Sequence, residues 1–201
     1  MTAKDKRRYF NELAARWDAL PAAADARERV CAFVRRAAAP YSSRILDVGC
    51  GTGVLLSALR ETCPGAVITE LDLAEDMLRE NAAKWNAPRI HRVCADGARL
   101  PFRGAAFDLV LCFAVLPHFE ELAEALAELS RVLRPGGVLA VGHLMGSAEL
   151  NEFHRSLGDP VAGDVLPGAP ELRRRFSDAG LEVSEAEEAP DWYFVKGRKP
   201  L

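Results

Sequence analysis

Apolar positions in this chain follow two periods, and the switches between them outline alternating helices and strands. Phe10, Leu13, Ala14 and Trp17 recur at helical spacing, which predicts a helix over about 5–18 ended by Pro21. A second helix is predicted over about 25–38, stopping before Pro40. Then the period breaks. "SRILDV" (43–48) is short, apolar and bounded by turn residues, as a buried strand should be. "VLLSALRETC" continues as a helix to Pro64. The unit then repeats in kind: strand "AVITELDL", helix "AEDMLRENAAKW", strand "RIHRVCAD", strand "FDLVLCFAV", helix "EELAEALAELSRVL", and strand "VLAVGHL" after the turn Pro135-Gly136-Gly137. "FDLVLCFAV" has almost no polar residue, so it is expected to be buried on both faces of a sheet. Strands alternating with helices at this spacing predict a parallel α/β sheet. Beyond 144 the pattern loosens into a short helix and a Gly/Pro-rich loop. A helix over 170–180 and two strands that could pair as a hairpin close the chain. No linker separates these parts, so one domain is expected.

The candidate chemistry starts at residues 45–53, "ILDVGCGTG". In an open parallel sheet, ligands sit at the carboxyl ends of the strands. Gly49 and Gly51 allow positive φ and close approach of a ligand, and a helix beginning near Gly53 would point its first N–H groups into the site. A phosphate-binding P-loop needs Lys-Ser/Thr at the helix start, and Thr52-Gly53-Val54 stands there instead. The dinucleotide fingerprint GxGxxG is missed by one residue. Acidic residues follow at successive strand tips: Asp47, Asp72 and Asp96. They suit a cofactor carrying an ammonium group, a ribose diol and an adenine amine. They suit a pyrophosphate poorly, because no Lys or Arg joins them in the sequence.

The runs "ILDVGCGTG", "ELDLAEDML", "CADGARLPF", "FDLVLCFAVLPHF" and "LRPGGVL" together resemble the class I methyltransferases that use S-adenosylmethionine. The branch most resembled holds ubiquinone and menaquinone C-methyltransferases and many small-molecule enzymes. The resemblance spans about 43–141. It implies a Rossmann-like seven-stranded sheet in the order 3-2-1-4-5-7-6, last strand antiparallel, with helices on both faces. It implies S-adenosylmethionine as cofactor and S-adenosylhomocysteine as product. Asp47, Gly49 and Gly51 would line the methionine end, with Cys112 near it. Asp72 would hold the ribose hydroxyls, Leu73 flank the adenine, Asp96 accept from the adenine amine, and Gly97 approach the ring. Glu70 departs from a position that is often small, and its side chain is expected to point away from that of Asp72. Pro117 interrupts the run after the fourth strand and reads as a helix-start residue. The implied parts are an N-terminal helical lid (1–40), a cofactor-binding core (43–143), a substrate-side insertion (144–170) and a closing helix with two strands (171–201).

The sulfonium methyl is already activated, so the protein's task is mainly alignment, with a base where the acceptor carries a proton. His143, His154 and His118 are the candidate bases, and His143, at a strand tip, is preferred. His91 lies at the wrong end of its strand. His143, His154 and Glu152 have no recognised metal-ligand spacing, and no metal is expected. Phe10 or Trp17 is expected to shield the cofactor from water. Met145, Phe153 and Leu157 are expected to form an apolar wall for the acceptor, a small, partly apolar molecule. A protein or RNA methyltransferase, a non-catalytic module that binds the cofactor and a nicotinamide-dependent oxidoreductase are the alternatives.

Composition narrows this only slightly. The net charge of -3 carries no basic footprint for nucleic acid. No apolar run reaches the ~18 residues of a membrane span. The five cysteines form no CxxC pair, which fits a reduced, cytoplasmic chain. A monomer or homodimer is expected.

Overall fold

The computed structural model describes residues 2–20, 25–39 and 41–201, so the helix stops assigned to Pro21 and Pro40 lie outside the described residues. Seven strands form one sheet: β1 (Arg44–Val48), β2 (Val67–Asp72), β3 (Ile90–Cys94), β4 (Phe107–Phe113), β5 (Leu133–His143), β6 (Glu182–Ala189) and β7 (Trp192–Arg198). Their order is β3-β2-β1-β4-β5-β7-β6. β7 alone runs antiparallel to its neighbours. The strand order reverses between β1 and β4, which opens a crevice at their carboxyl ends.

The helices are α1 (Ala3–Leu13), α2 (Ala26–Ala37), α3 (Leu56–Thr62), α4 (Glu75–Lys84), α5 (Leu122–Val132), α6 (Ser147–Leu157) and α7 (Ala169–Asp178). Strand alternation sorts them onto two apolar layers. Leu46, Val48, Val110 and Cys112 pack with Leu126 and Leu129 of α5 and with Leu172 and Phe176 of α7. Ile45, Ile68, Leu109 and Leu111 pack with Phe33 of α2 and with Leu56 and Leu59 of α3. All seven residues of β4 are buried, because it is covered on both faces. None of the described helices is long and apolar enough to cross a membrane.

Several boundaries differ from the sequence expectation. The first helix ends at Leu13 and tightens into a 3₁₀ turn over Ala14–Ala19. The turn at Pro135-Gly136-Gly137 is absorbed into the start of β5, where the pairing with β4 shifts register. Pro117 starts only a 3₁₀ turn, Leu116–His118, and α5 begins later, at Leu122.

The amino end of the site-bearing strands is tied by Asp108. Its carboxylate accepts from the backbone N–H of Ser43 (3.1 Å) and Arg44 and from the Ser43 hydroxyl (2.7 Å). Asp108→Asn puts an amide N–H against these donors. It should cost about 1 kcal/mol, seen as a lower urea midpoint with unchanged slope.

Candidate functional site

β1 delivers the chain to the glycine loop at the crevice. The N–H groups of Gly49 and Cys50 both donate to the Leu71 carbonyl, at 2.7 and 3.1 Å. Gly49 has φ +69°, and a Cβ there would lie 2.2 Å from Val115 Cγ2. Gly51 has φ +53°, and a Cβ there would meet nothing within 4 Å. The first glycine is required by crowding as well as conformation, and the second keeps open space beside bare backbone. α3 begins at Leu56, not near Gly53. The loop backbone therefore faces the crevice, and the expected helix N-terminus does not.

The loop is held by the tip of β2. Asp72 Oδ2 accepts from Gly51 N at 2.8 Å, and Oδ1 from Ala74 N at 2.8 Å. Burial pushes the Asp72 carboxyl above the usual range, and these backbone bonds only partly offset it. At the tip of β3, Asp96 Oδ1 accepts from Ala98 N at 2.9 Å. A cavity of about 110 Å³ lies between these tips. Gly49, Gly51, Asp72, Leu73, Asp96 and Gly97 all line it. The two remaining cofactor candidates lie behind its wall. Asp47 is 1% exposed and its Oδ2 has no hydrogen-bond partner. Cys112 is buried in the α5 layer, and burial pushes its thiol well up.

Glu70 corrects the expectation made for it. Residues two apart in a strand share a face, so its side chain points the same way as that of Asp72, not away. It is fully buried, and its Oε2 accepts from Asn81 Nδ2 at 2.8 Å.

The three candidate histidines lie in different settings. His118 lines the cavity. Its Nδ1 lies 2.5 Å from Asp164 Oδ2. That contact places the proton on Nδ1 and leaves the Nε2 lone pair free. Burial lowers the His118 pKa below its usual value, and Asp164 offsets this only in part. For Asp164, burial is outweighed by hydrogen bonds from His118 and Lys6, which hold its carboxyl below the usual range. His143 Nδ1 accepts from Met145 N at 3.0 Å, and burial together with nearby positive charge pushes its pKa down to about 3. His154 Nδ1 lies 2.9 Å from the Asp164 carbonyl, to which it donates. Neither His143 nor His154 lines the cavity. Among the described residues, no three His, Cys, Asp or Glu side chains converge as metal ligands.

The N-terminal segment forms part of the cavity wall. Lys6, Phe10 and Trp17 line it. The Lys6 ammonium donates to the His118 carbonyl at 2.8 Å and pairs with Asp164 Oδ1 at 2.7 Å. Asp18 accepts from Thr52 of the glycine loop at 2.6 Å. A second cleft of about 690 Å³ lies beyond Asp164, and Lys6 and Phe119 line both spaces. Met145 packs on the core, Phe153 and Leu157 are about half exposed, and none of the three lines either space. The expected apolar wall is therefore not formed by these residues.

Sequence reasoning missed Lys6 and Asp164. Lys6 lies four residues before Phe10 on the same helix face, a signal available in the spacing. Asp164 lies in an aperiodic Gly/Pro-rich loop, where no pattern marks it.

These residues fit the cofactor that the resemblance implies. Asp47 offers a buried oxygen without a partner. Gly51 leaves bare backbone beside open space. Asp72 and Asp96 keep further lone pairs for hydroxyl and amine donors. Lys6, the one Lys or Arg on the wall among the described residues, is neutralised by Asp164.

Comparison with known proteins agrees. Residues 46–141 match the family model described as "Methyltransferase domain". A malonyl-[acyl-carrier protein] O-methyltransferase of Enterobacter lignolyticus is 36% identical over 175 residues, 83% of this chain and 68% of that protein. A demethylmenaquinone methyltransferase of Thermus thermophilus is 38% identical over 138 residues, 66% of this chain and 62% of that one. Across such curated relatives the matched part spans from 33% to 68% of their length. Among solved structures, the complex between the Haloferax volcanii Trm112 methyltransferase activator and a methyltransferase matches the fold. Its TM-score is 0.80 at 22% identity, over 96% of this chain and 98% of that one. The glycine loop and the acids at the strand tips all lie within the matched residues, and the chain belongs to the class I S-adenosylmethionine-dependent methyltransferases.

Proposed function

We propose that this protein transfers the methyl group of S-adenosylmethionine to a small, partly apolar molecule, with His118 taking the acceptor's proton. The observation that carries this reading is the position of the His118–Asp164 pair. His118 stands in the wall of the cofactor cavity, Asp164 lines the larger cleft, and the two are bonded. An acceptor entering by the cleft would meet the base at the partition between the two spaces.

The bound cofactor supplies a methyl group already activated on sulfonium. The chain's own residues do the rest. Asp47, Asp72 and Asp96 orient the cofactor from three strand tips, and Gly49 and Gly51 let it lie against backbone. Asp164 holds His118 in the tautomer whose Nε2 accepts a proton. His143 and His154 are assigned positioning roles, because their Nδ1 atoms are committed to the Met145 N–H and the Asp164 carbonyl.

The N-terminal segment acts in this reading as a lid. The cavity of about 110 Å³ is well below the roughly 300–1,000 Å³ of ligand sites. Lys6, Phe10 and Trp17 must therefore move outward to admit the cofactor and can return to exclude water. The relatives named for malonyl-[acyl-carrier protein] and demethylmenaquinone support an organic acceptor over a nucleic acid.

The test mixes purified protein, methyl-labelled S-adenosylmethionine and a cell extract, then separates products by size. Label in the small-molecule fraction is the expected result. Label confined to protein or RNA overturns the acceptor assignment.

A further inference from the structure

Two carboxyl side chains lie side by side beneath the glycine loop. Asp47 of β1 is the parallel register partner of Glu70 of β2. Alternation places both on the layer shared by α2 and α3, with Ile45 and Ile68. They are 1% and 0% exposed. Each keeps one oxygen without a hydrogen-bond partner, Oδ2 of Asp47 and Oε1 of Glu70. Among the described residues these are the only buried side-chain nitrogen or oxygen atoms left so. Buried polar atoms are almost always partnered, so two orphans in adjacent register point to a partner that arrives from outside.

The neighbours do not supply it. Glu70 Oε2 is taken by Asn81 of α4. Arg92 is the β3 register partner of Glu70, yet its guanidinium donates to Asn81 Oδ1 (2.7 Å) and to the Asn81 and Trp85 carbonyls. The other titratable groups near the pair are Asp72 on β2, Cys50 on the loop, whose thiol is hydrogen-bonded to Glu70, and Cys112 of β4, which lies across the sheet in the α5 layer. None of these three is a cation.

We propose that Asp47 and Glu70 form a two-carboxyl seat for the cofactor's α-ammonium group, sharing one proton until that group arrives and releasing the proton as it binds. The balance is simple. The empty pair carries one proton and a charge of −1. Binding adds an ammonium charge of +1 and removes the proton to solvent, so the seat again sums to −1. Two carboxylates in adjacent register do not both ionise without such a cation, because burial and mutual repulsion oppose it. Burial is the main cause here: it raises Glu70 to about 7 and Asp47 well above its usual range. The proton belongs to the pair as a whole. Because the cofactor binds the ionised pair, affinity rises with pH to about 7 and levels off above it. This inference rests on the family's cofactor and is independent of the proposed acceptor and base.

The test is calorimetric titration of the full chain with S-adenosylhomocysteine at pH 6.5 in two buffers of different ionisation enthalpy. The difference in heats counts the protons exchanged. Roughly three quarters of a proton should leave per ligand bound, and affinity should tighten about fivefold between pH 6 and 7. In Glu70→Gln the amide can donate to the Asp47 orphan oxygen, so the release and the pH slope should largely vanish. In His118→Asn the release should persist. Binding without proton release in the natural chain overturns the proposal alone. The same holds for equal release in Glu70→Gln or its loss in His118→Asn. Absence of binding at every pH overturns the cofactor site itself. Circular dichroism melting checks that Glu70→Gln folds, and if it does not, the proton count and pH slope of the natural chain together with His118→Asn decide.

Discussion

Replacing His118 with alanine should lower turnover of the labelled acceptor about 10²–10⁴-fold, the span of general-base catalysis, with little change in S-adenosylhomocysteine affinity. The reasoning starts from the tautomer. Asp164, 2.5 Å from Nδ1, fixes the ring proton there, and the free Nε2 takes the acceptor's proton. Burial holds the His118 pKa below its usual value. The base form therefore predominates at neutral pH, and kcat/KM for the acceptor at saturating cofactor should vary little near pH 7 and fall on the acid side. Asp164→Asn offers an amide that can donate to Nδ1. It moves the proton to Nε2 and should also depress turnover. His143→Ala should leave that acid limb in place, since His143, pushed down to about 3, does not titrate near it. Unchanged turnover in His118→Ala would remove the base role. A loss confined to cofactor affinity would reassign His118 to the cavity wall.

The parts of this molecule that repeat were legible in the amino-acid order, and the parts that depend on one loop meeting another were not. β4 was readable because its seven consecutive buried residues carry a single charged one, Asp108. The order of the strands came from resemblance, since periodicity says nothing about which strand lies beside which. The acids at 47, 72 and 96 were found because strands end visibly. Cys112 was placed near the cofactor by that resemblance, but alternation in β4 turns its side chain into the α5 layer. Glu70 was misplaced by one step of the same period. Asp164 was invisible because its role arises only where a Gly/Pro-rich loop meets Lys6 from the first helix and His118 from the fourth strand tip. The proposed base is therefore assembled from three segments far apart in sequence.

Asp72→Ala should weaken S-adenosylhomocysteine binding by about 1.5–3 kcal/mol, the scale of lost charge-assisted hydrogen bonds, or roughly 10–150-fold in Kd. Two losses combine. The carboxylate is placed to accept from the ribose hydroxyls, and it also holds the Gly51 and Ala74 N–H groups at 2.8 Å. Without it the loop backbone on which the cofactor lies is no longer fixed. Stability should respond differently from affinity. Burial raises the Asp72 carboxyl above its usual range. A carboxyl raised in the fold favours the protonated protein, so its ionised form costs stability as pH climbs through that range. Asp72→Asn removes that charge and keeps one acceptor. It should lower affinity strongly while changing the melting temperature of the empty protein little. Calorimetric titration paired with a thermal melt checks both. Unchanged affinity would sink the ribose role. Equal losses of affinity and stability would make Asp72 a loop fastener first, because a residue whose charge serves the ligand should be worth more to the complex than to the empty fold.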